Sequence, residues 1–131
     1  MSGNQFLSAC FNGNLAQATR LLKESEEREI DLNEAHPMSG YTPLISACAN
    51  RHTSIVKFLL EQKEIKVNLA NIYGETAFSF ACANEKIEIV KLLLTHKELD
   101  VNEPDQFGTT PLMLATNYGY VETQMAVGSR K

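Results

Sequence analysis

A self-similarity at a spacing of 34 residues constrains this chain more than any other feature. When the sequence is shifted against itself by that distance, single residues recur in register at Gly40, Gly74 and Gly108, at Thr42, Thr76 and Thr110, and at Ala47, Ala81 and Ala115. Two apolar pairs recur as well, with Ile55-Val56 matching Ile89-Val90 and Leu59-Leu60 matching Leu93-Leu94. A period of about 20 to 50 residues is typical of repeat proteins, so the chain is expected to be an array of similar units.

Each unit predicts a turn followed by two helices. Glycine permits the positive φ of a tight turn, and two residues later a threonine can cap a helix that starts with proline, as at Thr42-Pro43. We expect a short first helix over 43–49, a break over 50–53, and then a second, amphipathic helix that carries the apolar pairs. The segments "EQKEIKVN" and "THKELDVN" are expected to lead to the next turn in an extended stretch.

The segments "GYTPLISACANRHTSIVKFLL" and "GTTPLMLA" resemble the ankyrin repeat, with its G-x-T-P-L-H-x-A signature, its second helix and its closing Val-Asn. The resemblance covers about residues 4 to 127 and implies an all-α solenoid of about four helix-turn-helix units joined by β-turn fingers. We expect a single domain over 1–131. Its units are an N-terminal cap at about 4–36, two full repeats at 37–70 and 71–104, and an abbreviated repeat at 105–127.

The chain departs from the ankyrin signature at several positions. The signature histidine is absent from every copy, and its place is taken by Ile45, Ser79 and Met113. The hydrogen bonds that this histidine makes between neighbouring turns are therefore in question, and Ala77 replaces the proline of the third unit. The last second helix is expected to end at Val127, before Gly128. Two interpretations stay open for this end of the chain, a short polar cap or an array that continues in a longer protein.

The cysteines occupy one position of three successive units, each directly after an alanine, at Cys10, Cys48 and Cys82. Equivalent atoms of stacked helices lie about 8 to 10 Å apart. A disulfide needs Cα atoms within about 7 Å, and zinc needs ligands at about 2.3 Å, so neither fits cysteines one unit apart. We interpret the cysteines as small buried side chains. The histidines fall in three different parts of the unit and are interpreted as surface residues at His36, His52 and His96, with no metal or cofactor expected.

Composition and charge exclude several classes of function. Twelve basic and sixteen acidic residues give a net charge of -4 without a basic stripe, so we expect no nucleic-acid partner. No run approaches the roughly 18 apolar residues of a membrane span, and the N-terminus lacks a secretory signal, so we expect no membrane partner. An odd number of cysteines agrees with a reducing compartment. We expect a monomer that is cytoplasmic, with the nucleus as the second compartment.

No pattern in the sequence indicates catalysis. The chain lacks a glycine-rich phosphate loop and a nucleophile elbow, and its histidines and cysteines do not form the constellations of a nucleophilic site. The acid-rich segment "KESEEREID" at 23–31 mixes both signs of charge, and we interpret it as a solvated helix end and exit loop. We therefore expect a protein that is not an enzyme.

The ankyrin resemblance implies a module that binds another protein through a concave face, acting as an adaptor, scaffold or inhibitor. Carried over position by position, the turn tips and first-helix ends give the candidate partner-binding residues Tyr41, Asn50, Tyr73, Glu75, Asn84, Phe107, Thr109, Asn117 and Tyr118. Aromatic side chains dominate interface hot spots, but the aromatic residues of this set also fit a role as staples between neighbouring turns. Asn50 and Asn84 fit a second role as C-terminal caps of the first helices.

A second hypothesis makes the chain a substrate for a modifying enzyme. The segment "LLTHKELDVN" resembles the pattern around the asparagine that an asparaginyl hydroxylase modifies in ankyrin repeats, with Leu94, Asp100, Val101 and Asn102 matching. In "LLEQKEIKVN" the acidic position holds Lys66, so Asn68 fits the pattern less well. The alternative is that Asn102 belongs only to the loop structure of the repeat.

Overall fold

The fold of the chain is that of a computed structural model, which describes residues 2–24 and 30–130, the side chains of 2–4 excepted. The prediction for the acid-rich segment therefore falls largely outside the described residues, at 25–29. The described helices are α1 Ser2–Asn12, α2 Leu15–Glu24, α3 Pro43–Ala49, α4 Thr53–Leu60, α5 Ala77–Ala83, α6 Ile87–Leu94, α7 Pro111–Tyr118 and α8 Val121–Arg130. In the same ranges the β pairing is an isolated antiparallel bridge between Ala70 and Thr76.

The helices pair and stack as the repeat predicts. The first helices α1, α3, α5 and α7 pack in series, and α4, α6 and α8 pack in series beside them. The apolar pairs of the second helices face inward, where Ile55, Leu59, Ile89 and Leu93 are at most 1 % exposed. With Phe6 and Phe78 of the first helices they form one continuous core between the two layers. The all-α class and the stacked solenoid are confirmed.

Threonine caps start the first helices, as predicted. The Thr42, Thr76 and Thr110 hydroxyls accept the backbone N–H groups of Ile45, Ser79 and Met113 at 3.1, 3.2 and 3.2 Å. In the unit where Ala77 replaces proline, the Ser79 hydroxyl also accepts the Thr76 N–H at 2.9 Å, which completes a capping box. A reciprocal hydrogen bond therefore stabilises the helix start that has no proline.

The glycine turns have the predicted backbone and are linked without the signature histidine. Gly40, Gly74 and Gly108 have φ values of 78, 81 and 83°. The Ile72 N–H donates to the Ser39 carbonyl at 3.1 Å, and the Gln106 N–H donates to the Tyr73 carbonyl at 3.2 Å. Neighbouring turns are thus joined by the backbone itself, which does not depend on the residue at the histidine position.

The prediction of an extended exit stretch after the second helices is wrong. Segments 61–68 and 95–102 consist mainly of successive turns, and the Ile65 N–H donates to the Gln62 carbonyl at 3.2 Å. Eight extended residues would span about 26 Å, roughly twice the length of the eight-residue helix that they follow. The compact loop instead buries Ile65 and Val67 against the core.

The last helix also differs from the prediction, because α8 continues through Gly128 to Arg130. Glycine inside a helix costs only about 1 kcal/mol relative to alanine, so it does not terminate a helix that has other support. That support comes from the Arg130 guanidinium, which donates to the Leu94, His96 and Leu99 carbonyls at 3.0, 3.4 and 3.4 Å. The arginine anchors the last turn of α8 on the end of α6 and its exit loop.

Candidate partner-binding surface

The turns and the ends of the first helices lie on one side of the stack. We call this surface the front face, and it comprises the turns 36–41, 71–75 and 105–109 with the C-terminal ends of α1, α3, α5 and α7. The turns are joined by their backbone bonds and the first helices by their packing. The candidate residues taken from the repeat pattern all lie on this face, and their assignment to partner binding stays a prediction.

A groove of about 650 Å³ opens on the front face between α1 and α3. Its lining is Leu7, Ser8, Phe11, His36, Pro37, Ser39, Tyr41, Ser46, Ala49 and Asn50, with neither acidic residues nor Lys or Arg. Among the described residues no turn precedes α1, so the first turn has no neighbour on that side and the space beside it stays open. The groove offers an apolar wall with a few neutral hydrogen-bonding groups.

The four candidate aromatic residues divide into two kinds. The Tyr41 ring is half-buried and lies 5.6 Å from the Phe80 ring of α5, centre to centre, so Tyr41 does join neighbouring units. Burial raises the pKa of Tyr41, and the Glu75 carboxylate raises it further. Tyr118 stacks within its own unit, with its ring 5.4 Å from that of Tyr120. In contrast, Tyr73 and Phe107 are 50 % and 83 % exposed, and neither has a ring contact within the described residues.

Glu75 and Thr109 help to shape the turns. The Asn71 side-chain oxygen accepts the Tyr73 and Glu75 N–H groups at 2.9 and 3.0 Å, and the Asn71 amide donates to the Glu75 carboxylate at 2.9 Å. One unit later, the Asp105 carboxylate accepts the Phe107 and Thr109 N–H groups, both at 2.9 Å. The sequence analysis missed these two Asx residues, although each stands three residues before a turn glycine.

Asn50 and Asn84 bridge neighbouring units. Both follow the last residue of a first helix, and the Asn50 amide donates to the Phe11 carbonyl at 3.1 Å. The Asn84 amide donates to the carbonyls of Cys48 and Ala49 at 3.2 and 3.3 Å. Their side chains therefore hold the end of the preceding first helix. Asn117 is exposed, and no such bond forms at this residue in the part of the chain that the structure describes.

The interpretation of all three histidines as plain surface residues is wrong for His52. Its ring is half-buried, with Nε2 2.9 Å from the Phe11 carbonyl oxygen. A Cβ atom added at Gly13 would meet the ring at 2.7 Å, so the glycine leaves the space that the ring occupies. His36 is exposed, and its Nδ1 accepts the Met38 N–H at 3.1 Å.

Phe11 is a groove residue that the sequence analysis did not find. It is 52 % exposed at the end of α1 and lies between two groups that hold the carbonyl of its own peptide unit. Because each cysteine marks the same position, Phe11 after Cys10 corresponds to Ala49 after Cys48. That correspondence was the available signal, but the altered spacing of the first unit hides it from a shift of 34 residues.

The described part of the chain contains no group of three His, Cys, Asp or Glu residues placed to hold a metal ion. Among its helices, none is long and apolar enough to cross a membrane. A family model described as ankyrin repeats, three copies, matches residues 6–71 and 64–124. The chain belongs to the ankyrin-repeat family. No curated protein matches it. Ankyrin repeats are generally protein-protein interaction modules, and the family is typically non-enzymatic.

The exit loops of this ankyrin chain are joined by a row of asparagines, which we call the asparagine ladder: Asn33, Asn68 and Asn102. The first two each donate to a carbonyl and accept an N–H in the next loop. The four bonds are Asn33 to the Glu64 carbonyl at 2.8 Å, the Lys66 N–H to Asn33 at 2.9 Å, Asn68 to the Glu98 carbonyl at 2.8 Å and the Asp100 N–H to Asn68 at 2.8 Å. The Asn102 side chain is exposed and has no such partner among the described residues.

Asn68→Ala is expected to destabilise the ankyrin stack by about 1 to 2 kcal/mol, because it removes two hydrogen bonds between units. Asn102→Ala is the matched control at the equivalent position, and we expect it to change stability by no more than about 0.5 kcal/mol. Urea denaturation followed by circular dichroism measures both. Equal losses in the two variants would contradict a role for the asparagine ladder in joining the units.

The cysteines of the ankyrin units are buried thiols, as predicted, and all are 0 % exposed. Burial raises the pKa of Cys10 and of Cys82 from 9.0 to about 12 and also raises that of Cys48. Since only the thiolate is nucleophilic, we expect iodoacetamide at about pH 8 to label the folded chain only as fast as it unfolds. Labelling is followed by mass spectrometry, with the urea-unfolded chain as control. Rapid labelling of a folded chain would refute this expectation.

Proposed function

We propose that this ankyrin chain binds a partner protein through the front face and acts as an adaptor, scaffold or inhibitor. The observation that carries the proposal is the exposure of Tyr73 and Phe107 on successive turn tips, 50 % and 83 % respectively. Two further apolar tip residues, Met38 and Ile72, are 78 % and 58 % exposed. A row of large exposed apolar side chains has no role within the repeats, and such patches mark interaction surfaces.

The groove between α1 and α3 extends the proposed binding surface beyond the turn tips. Its lining has neither acidic residues nor Lys or Arg, and its apolar side chains Leu7, Phe11 and Tyr41 suit an apolar side chain of the partner. Because few charges lie on this side, we expect the affinity to depend weakly on salt concentration, since salt mainly screens charged contacts. A steep loss of affinity with added salt would point to a different surface.

Affinity capture from cell lysate with mass spectrometry tests the proposal. The wild type is compared with the Tyr73→Ala/Phe107→Ala double variant, and Met125→Ala is the control because Met125 is 70 % exposed on α8, away from the turn tips. Loss of two hot-spot side chains is expected to weaken a partner by about 30-fold or more. Circular dichroism of the double variant is expected to match the wild type. Partners that the double variant retains and Met125→Ala loses would refute the front face.

We propose asparaginyl hydroxylation of Asn102 as a second candidate function. It is supported by the exposure of the Asn102 side chain, which has no hydrogen bond within the described residues, whereas Asn68 is held by the next loop. The acidic residue of the pattern, Asp100, accepts the Asn102 N–H at 3.0 Å and so fixes the loop around it.

Peptide mass spectrometry of the chain purified from its native source tests the modification. We expect the mass of one added oxygen on the peptide that contains Asn102, with the peptide that contains Asn68 as the internal control. An unmodified Asn102 in native material would rule out this second function.

A further inference from the structure

The turn of the last unit presents an edge that the two earlier turns use against a neighbour. In those turns the Ser39 and Tyr73 carbonyls accept an N–H from the next turn. A Cβ atom at Gly74 would lie 2.8 Å from the Gln106 nitrogen, whereas one at Gly108 would meet nothing within 4 Å. The Phe107 carbonyl stands where the Tyr73 carbonyl stands one unit earlier, and it accepts no N–H within the described residues.

The helices of the last unit are also uncovered at positions that are buried in the earlier units. Ile45 and Ser79 are 1 % and 6 % exposed, but Met113 at the equivalent position is 50 % exposed. On α6, the Lys91 ammonium lies 3.8 Å from the Glu122 carboxylate, so this position is directed towards the next unit. Met125 occupies the same position one unit later and is 70 % exposed.

We propose that this end of the stack docks an ankyrin-type helix pair that belongs to a separate protein. The docking surface, which we call the open end, consists of the 105–109 turn, Asn102, and the outer sides of α7 and α8. The contacts within the chain specify the occupant. Its turn donates a backbone N–H to the Phe107 carbonyl, its exit loop pairs with the Asn102 amide, and its helices cover Met113 and Met125.

The path of the backbone at the end of α8 supports an occupant on another polypeptide. In the preceding unit, residues 95 and 96 have already left the helix for the exit loop that joins successive units. The equivalent residues Ser129 and Arg130 are still helical, and Arg130 bonds back to α6 and its loop. The chain therefore does not enter the path by which one unit delivers the next.

A second copy of this chain fits the open end less well. In the described residues no turn precedes α1, so a copy stacked by its first unit has no turn N–H for the Phe107 carbonyl. Exposed side chains of α1 and α2 are also largely polar and include Gln5, Ser8, Thr19 and Arg20. The occupant is thus an ankyrin protein whose first unit has a complete glycine turn and an apolar outer side.

Methyl NMR of the full chain separates the open end from the front face, because methionines lie on both. Met113 and Met125 report on the open end and Met38 on the turn tips. The probe is a purified three-unit ankyrin protein whose first unit has a complete turn and an apolar outer side. Its matched control carries two glutamates on that side. We expect the apolar probe to shift the Met113 and Met125 methyl signals and the Asn102 side-chain amide signal saturably, while Met38 stays unchanged.

The double variant Met113→Glu/Met125→Glu is expected to bind the probe about tenfold more weakly or worse, because docking would bury unpaired carboxylates. Both methionines are at least half exposed, and circular dichroism checks that the fold is kept. Absence of shifts at millimolar probe, or equal shifts with the glutamate control, would overturn the proposal. So would shifts of Met38 alone, which indicate the front face, or shifts that grow with the chain's own concentration without probe, which indicate self-association.

Discussion

Gly74→Ala is expected to lower the free energy of unfolding by about 2 to 4 kcal/mol. Part of the loss arises because alanine at the φ of 81° pays about 1 to 2 kcal/mol for the left-handed conformation. The rest arises because its Cβ would lie 2.8 Å from the Gln106 nitrogen. That atom belongs to the backbone of the next turn and donates the bond that joins the two turns, so it cannot move without weakening the bond.

Gly108→Ala is the matched control for this substitution. Its φ is 83°, nearly the same as that of Gly74, but no atom lies within 4 Å of the added Cβ. We expect the control to lose only the conformational part, about 1 to 2 kcal/mol. Urea denaturation of the two variants beside the wild type isolates the contact between turns. If both variants lost the same free energy, close packing of the turns would contribute nothing to stability.

Phe78→Ala is expected to cost about 3 to 5 kcal/mol, the usual range for removing a buried aromatic ring from a core. Phe78 is 0 % exposed on α5, which packs against both α3 and α7. A domain of this size is stabilised by only about 5 to 15 kcal/mol in total. Because each repeat is stabilised mainly by its neighbours, a cavity in this middle unit weakens the interfaces on both sides.

Phe107→Ala provides the control with the same chemistry, since this ring is 83 % exposed on a turn tip. We expect its melting curve to lie within about 0.5 kcal/mol of the wild type. Thermal and urea unfolding followed by circular dichroism compare the two phenylalanine variants directly. A large loss in Phe107→Ala would show that the ring packs within the repeat, which would also remove the main support for the front face.

The features that could be predicted from sequence are those set within a few residues. Glycine φ, the threonine caps and the apolar spacing of the second helices depend on local geometry, and all are as expected. The exit loops could not be predicted, because the burial of Ile65 depends on contacts with the rest of the fold. The continuation of α8 through Gly128 depends likewise on Arg130 reaching carbonyls more than 30 residues away.

The front face was predictable only in part, for a similar reason. Tyr73 and Phe107 lie on the turn tips because a turn places its central residues outward, and the repeat register located those residues. The sequence did not reveal that Tyr41 would reach Phe80, or that His52 would reach the Phe11 carbonyl. Both are contacts between units, and a register that compares units position by position does not show which side chains cross the interface.

Backbone bonds between turns, the bridging Asn84 amide and the asparagine ladder connect the units at three separate levels. A unit that slid or tilted against its neighbour would have to break bonds at all three levels at once. The stack therefore acts as a ruler, with successive turn tips held at a constant interval of about 8 to 10 Å, the usual distance between packed helices. A protein that contacts Tyr73 and Phe107 together must match that interval, so the rigid spacing itself discriminates among partners.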